Sequence, residues 1–286
     1  MRIRCSISPD ADDLFMFRAL LLGLIDTDGF DFDIGTADTD ALNRAAAGQT
    51  VSTDELPHVS AVSIAWVPSL HADWQLLPHG GSVGRAYGPV VVAREPMALT
   101  ELVGRKVAVP GTSTTAYTVL AQMIPGFEPV VVPITPPELV FEALADGKVD
   151  AALLIHEGRL TFAEHGFVQL ADIGEWWHAE TGLPLPLGGN VVRRDLGDDV
   201  IARLSAVLRN SIAHALAHRD DAIQWLLARG AGPLKTVASV DHYLSLYANA
   251  DTLDYGEDGR AGVQELIRRG ADAGLLPAVG PVDFAP

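Results

Sequence analysis

Short apolar runs of strand character alternate with stretches of helical spacing from the start of the chain to about residue 195. "RIRCSIS" (2–8) predicts a strand, and the acids behind it open a helix over Asp13–Gly23, where negative charge suits the helix N-terminus. "FDFDIG" (30–35) alternates at period two, and "DTDALNRAAAG" (38–48) restores helical spacing behind an Asp cap. "HVSAVSIAWV" (58–67) fits a strand and a helix equally well. Strands are expected at 87–94, 106–111, 129–134, 150–155 and 167–173. Between them the spacing predicts helices from Thr114, from Pro136 to Asp146, after His156, and over 174–182. An extended segment covers 183–195, and the pattern is then helical at 197–229, 239–249 and 257–273.

Such alternation is the pattern of an α/β protein. The block from about 97 to 187 is a self-contained set of strands and helices. Its flanks, "VVVAREP" and "GGNVVRRD", are extended and are expected to pair as crossover strands near 91–94 and 190–193. This places one lobe inside another: 1–94 with 190–286 as the larger, 95–189 as the smaller. A cleft between lobes is a favoured place for a ligand.

With 286 residues and 48% apolar composition, the chain can bury a core of that size. A net charge of −17 argues against nucleic acid or an anionic membrane as partner. The longest apolar stretches, such as "LFMFRALLLGLI" with Arg18 inside it, are too short to span a bilayer. The opening "MRIRCSISPDADD" has no uninterrupted apolar run of the secretory kind, and the lone Cys5 has no internal disulfide partner. A cytoplasmic location is the expectation.

Four stretches are candidates for chemistry. "LLIHEGRLTF" (153–162) puts His156 at the end of a buried strand, where open α/β sheets place their ligands. A zinc-peptidase reading fails, because position 160 is Leu160 where a second histidine is required. What remains is an imidazole able to act as a base near neutral pH, or a structural histidine. In "VAVPGTSTTAYTVL" (107–120) a strand runs through Thr112, Ser113, Thr114 and Thr115 into a helix. Its free N–H groups and hydroxyls suit an anion, with a plain helix cap as the alternative. "GGSVGRAYGP" (80–89) sets glycines, Gly84 among them, around Arg85, as a binding loop or a flexible connection. "SPDADD" (8–13) offers Ser8 and three acids, for a hydroxylated ligand or for the helix dipole. No His or Cys lies at a spacing that supports a metal there, and none is expected.

Taken together, "SPDADDLFMF", "GGSVGRAYGPVVVAR", "VPGTSTTAY", "LLIHEGRLTF", "GEWWHAETGLPLPLGG" and "YANADTLDYGEDG" resemble, nearly end to end, the 1,4-dihydroxy-6-naphthoate synthases of the futalosine route to menaquinone. The resemblance implies a two-lobed fold like that of periplasmic solute-binding proteins (type II). It implies conversion of cyclic dehypoxanthinylfutalosine to 1,4-dihydroxy-6-naphthoate with loss of dihydroxyacetone. His156 falls on the family's proposed base, and Thr114 and Thr115 on threonines that contact a carboxylate-bearing ligand. The substrate-binding set expected on this basis is Thr114, Thr115, Ser113, Ser8, Asp13, Ser60, Gly84 and Arg85. The family segment is often Ser-Pro-Cys-Pro-Asn-Asp-Thr-Phe, so Asp10 and Asp12 stand here for Cys and Asn. Removing a carbon-bound proton while a ring aromatises asks for a base and an oxyanion site, so no cofactor is expected. A solute-binding protein without catalysis, and the sibling chorismate dehydratase, are the alternatives.

Overall fold

The computed structural model describes residues 1–134, 136–230 and 232–286. Among the described residues eleven strands form: β1 (Arg2–Ile7), β2 (Asp31–Thr36), β3 (Val59–Ser63), β4 (Trp74–Leu76), β5 (Ser82–Gly84), β6 (Val90–Ala93), β7 (Lys106–Val109), β8 (Glu128–Val131), β9 (Ala151–Leu154), β10 (Val168–Asp172) and β11 (Leu185–Arg193). They make two sheets. The first has the order β2-β1-β3-β11-β4, with β5 pairing the early part of β11. The second has the order β10-β6-β9-β7-β8.

Within the first sheet β1, β2 and β3 are parallel, and β11 runs antiparallel to β3, β4 and β5. In the second, β7, β8 and β9 are parallel, and β6 is antiparallel to β9 and β10. Strands covered on both faces read as unbroken apolar runs; β6 and β9 are buried at every position. Helices Ala11–Leu21 and Asp198–Ala217 cover the first sheet through Met16, Phe17, Leu204 and Leu208. Helix Glu138–Ala145 covers one face of the second through Val140, Phe141 and Leu144. A further apolar cluster runs from one sheet to the other, from Leu76 and Val191 through Leu185 and Trp177 to Val107 and Leu153.

The expected pairing of 91–94 with 190–193 is not made. β6 joins β9 and β10 in the second sheet, while β11 joins β3, β4 and β5 in the first. The chain therefore passes between sheets after Gly84 and returns after Asp172, earlier on both sides than 94/95 and 189/190. Two apolar extended segments announce strands, but nothing in their own residues says which strand each will meet. The two passages touch backbone to backbone: a Cβ on Gly174 would lie 2.1 Å from the Tyr87 carbonyl. The stretch 58–67 resolves into β3 followed by short helical turns over Ile64–Trp66 and Val67–Leu70. β4 and β5 were not anticipated, and the helical run 197–229 breaks at His218 into two helices.

Candidate active site

A cleft enclosing about 750 Å³, its open mouth included, lies where the carboxyl ends of β1, β3 and β9 converge with the segment after β7. Its wall takes Ser8, Asp10, Asp12 and Asp13 from the turn after β1, and Thr39 from the start of helix Thr39–Ala46. The second sheet contributes Thr114, Thr115, Ala116 and His156, and Tyr243 and Tyr247 come from helix Val237–Tyr247.

β9 ends at Leu154, and His156 then takes φ +50, a left-handed conformation uncommon for a residue with a side chain. Its ring is held at both nitrogens. Nδ1 stands 2.5 Å from Asp10 Oδ2, and Nε2 stands 3.3 Å from Thr39 Oγ1. Burial alone would lower the imidazole's pKa. The Asp10 carboxylate and its hydrogen bond outweigh that, with Asp12 and Glu157 adding, and push it up to about 10. Burial likewise raises Asp10, but the His156 imidazolium overcomes it and holds this carboxyl below its usual range.

The neighbouring carboxyls shift the other way. Burial, then the Asp10 charge, push Asp12 up to about 7, although Ser82 Oγ (2.7 Å) and Tyr243 OH (2.8 Å) both donate to it. Burial with Asp10 and Asp12 nearby raises Asp13 well above the carboxylate range; it accepts the Ser8 N–H at 2.6 Å. Glu157 is raised by burial and Asp10, and takes the Ala11 N–H at 3.4 Å.

Asp10, Asp12 and His156 also bring one ligand atom each within 4.8 Å of one another, a grouping that sequence spacing did not reveal. Two ligands of one tetrahedral ion stand about 3 Å or more apart, given bonds near 2 Å. As placed, His156 Nδ1 and Asp10 Oδ2 stand closer to each other than two ligands of such an ion do.

The Thr/Ser run does something other than expected. Thr114 caps helix Thr115–Met123: its hydroxyl donates to Gly111 O (2.8 Å) and accepts from Tyr117 N–H (3.2 Å). The Thr115 hydroxyl donates to Leu187 O (2.7 Å) and accepts from Ala65 N–H (3.1 Å), tying the second lobe to two segments of the first. Ser113 is held between Asp40 Oδ1 (2.6 Å) and Asn43 Nδ2 (2.9 Å), another bridge between lobes. What this turn leaves for a ligand is backbone: among the described residues no acceptor meets the N–H of Thr115 or Ala116, both on the cleft wall.

Of the expected set, His156, Thr114, Thr115, Ser8 and Asp13 meet in the cleft; among the described residues Ser113, Ser60, Gly84 and Arg85 do not line it. Ser60 is buried within β3 and donates to Ala61 O. Gly84 ends β5, where a Cβ would lie 1.9 Å from the Tyr87 carbonyl. Arg85 forms ion pairs with Asp251 and Asp258, which raise its pKa and anchor β5 to the C-terminal helices. Sequence reasoning missed Thr39 and Tyr243, and offered Asp10 only as one of three acids without its partner; all three approach His156 or Asp12 only through the fold.

Two mixed α/β sheets joined by paired crossings, with a polar cleft between, define the two-lobed class that solute-binding proteins use. The periplasmic aliphatic sulphonate binding protein of Escherichia coli shares this fold at a TM-score of 0.63 and 14% identity, over 99% of this chain and 90% of that one. A crystal structure from Archaeoglobus fulgidus is nearer, with a TM-score of 0.87 and 35% identity over 96% of this chain and 98% of that chain. The sequence profile of the menaquinone biosynthesis family matches residues 3–272, and the chain belongs to that family. Two relatives carry the name 1,4-dihydroxy-6-naphthoate synthase. That of Streptomyces coelicolor is 38% identical over 98% of this chain and 96% of its own length. That of Thermus thermophilus is 37% identical over 96% and 95%.

Proposed function

We propose that the protein is a 1,4-dihydroxy-6-naphthoate synthase: a cytosolic carbon–carbon lyase that converts cyclic dehypoxanthinylfutalosine to the naphthoate with release of dihydroxyacetone. The two named relatives support the reaction, and one geometric observation carries the mechanism. His156 meets Asp10 through Nδ1, and Nε2, whose neighbour among the described residues is only the Thr39 hydroxyl on the cleft wall, is the nitrogen that can exchange a proton with a molecule in the cleft. In this reading Nε2 takes a carbon-bound proton from the substrate, and the bond broken as the ring aromatises releases the three-carbon fragment. The imidazolium that forms is stabilised by Asp10 as charge develops, an interaction stronger after proton transfer than before it.

The substrate carboxylate belongs at the start of helix Thr115–Met123. There the N–H groups of Thr115 and Ala116 and the helix dipole favour negative charge. Thr114 and Thr115 serve the site by shaping this turn and not by lending hydroxyls, which are already engaged. Closure of the cleft keeps water from the reactive intermediate.

The test is incubation of the purified protein with cyclic dehypoxanthinylfutalosine and mass detection of the naphthoate and dihydroxyacetone. Both products at catalytic turnover are expected. Tight binding without conversion would leave a solute-binding protein instead.

A further inference from the structure

We propose that Asp10 is a positioning residue for His156, supplied across the cleft, so that the working form of the histidine is assembled by bringing the two lobes together. Asp10 follows β1 of the first sheet, whereas His156 follows β9 of the second. Thr39, which meets the other ring nitrogen, also belongs to the first lobe. Each nitrogen of the ring is thus answered by a side chain from the opposite lobe.

The three acids of the turn differ in a way that singles out Asp10. Asp13 accepts the Ser8 N–H, and Asp12 accepts the Ser82 and Tyr243 hydroxyls. Among the described residues no donor reaches either oxygen of Asp10 in good hydrogen-bond geometry, the Ser8 and Asp12 side chains lying close by, and its side chain is only 7% exposed. A buried carboxylate short of donors is costly; the ion pair with His156 answers it from the opposite lobe. With Nδ1 engaged, proton exchange is confined to Nε2. The other titratable groups facing the ring are Asp12 and Asp13 from the same turn, Glu157 beside it and Tyr243 from the C-terminal helix. Asp12 and Asp13 have their own donors, as does Glu157 in Ala11 N–H.

The step served is a proton transfer. The substrate C–H bond breaks, its electron pair stays on the substrate as an enolate, and the proton forms a bond to Nε2, with nothing oxidised or reduced. Only the deprotonated ring can accept that proton at Nε2, and because Asp10 favours the charged form, turnover should rise with pH towards the raised titration of the assembled site. This catalytic consequence rests on the function proposed above; the pairing itself does not.

The test is an NMR titration of His156 in the substrate-free protein, comparing wild type with Asp10→Asn and with Thr39→Val, folding being checked by circular dichroism. Wild-type His156 is expected to titrate well above the ordinary imidazole range. Asp10→Asn should lower that midpoint by roughly 1–3 pH units, and Thr39→Val should leave it high. On substrate, at a pH where His156 is deprotonated in both proteins, Asp10→Asn should reduce kcat by roughly 10- to 1000-fold with little change in KM. A wild-type His156 that titrates near 6.5, or one unmoved by Asp10→Asn, would overturn the proposal, and the first needs no variant to fold. A shifted titration in a protein that makes no naphthoate would leave the pairing standing and remove the function.

Discussion

His79, buried, and His156, half-buried on the cleft wall, both lie a short way beyond a strand, and the fold drives them in opposite directions. His79, in the segment between β4 and β5, is 1% exposed, and its Nε2 lies 3.1 Å from Ser205 Oγ. Burial dominates there and pushes its pKa down to about 4. Among the described residues no carboxylate pairs with it, and the pull of Asp254 is too weak to offset burial, so it is a neutral packing residue. His156 is also drawn out of water, yet Asp10 makes its charged form the favoured one. Burial of a histidine says little by itself about function. What differs is whether the fold places an anion against one nitrogen and leaves a cleft at the other.

His156 meets Asp10 from the opposite lobe, whereas His79 meets Ser205 within one lobe, so loosening the lobes should break the contrast on one side only. Thr115→Val removes the hydroxyl that both donates to Leu187 O and accepts from Ala65 N–H across the cleft. The loss of two hydrogen bonds worth about 1 kcal/mol each should lower kcat/KM by roughly 10- to 100-fold. In an NMR titration His156 should move towards its ordinary value while His79 stays put.

Stability against pH sharpens the comparison, because the signs are opposite. His79 has a folded pKa below its unfolded value, so stability falls as pH drops from about 6.5 through 4, by about 2–4 kcal/mol. His79→Asn should remove that slope in urea titrations. His156 has a raised folded pKa, so its contribution is complete below about 6.5 and is lost as pH rises through about 10. Asp10→Asn should flatten the alkaline side and also remove the acid-side contribution of the Asp10 carboxyl, which His156 holds below its usual range.

Smaller effects separate shape from chemistry at the neighbouring strand end. Thr114→Val deletes a helix cap and should cost about 1 kcal/mol of stability, measured by urea unfolding. An amide analogue of the substrate should lose no more than the acid does in this variant. Arg85→Ala should change KM least of all, since its ion pairs with Asp251 and Asp258 are half-exposed at the Arg85 side chain and lie off the cleft wall.

Much of this site was legible in local pattern. A buried run ending in His156, a Thr/Ser turn entering a helix, and acids at a helix start each follow from rules that act over a few residues. The alternation that marks an α/β chain is equally local. What stayed hidden is pairing at a distance. Nothing around Asp10 announces that β9 will deliver an imidazole to it, and an acid at a helix N-terminus is adequately explained by the dipole. Arg85 among glycines looks like a ligand contact until the C-terminal helices bring Asp251 and Asp258 to it. β5 was invisible because "SVG" has little strand character of its own; its pairing with β11 makes it a strand.

The central claim, that His156 and not simply any buried histidine moves the substrate proton, is tested most directly by steady-state kinetics of two variants side by side. With cyclic dehypoxanthinylfutalosine as substrate, His156→Asn should lower kcat by roughly 10²- to 10⁴-fold while KM changes little. His79→Asn should lose thermal stability but keep kcat per folded molecule within about threefold of wild type. Near-normal turnover in His156→Asn, or an equal loss in both variants, would contradict the claim.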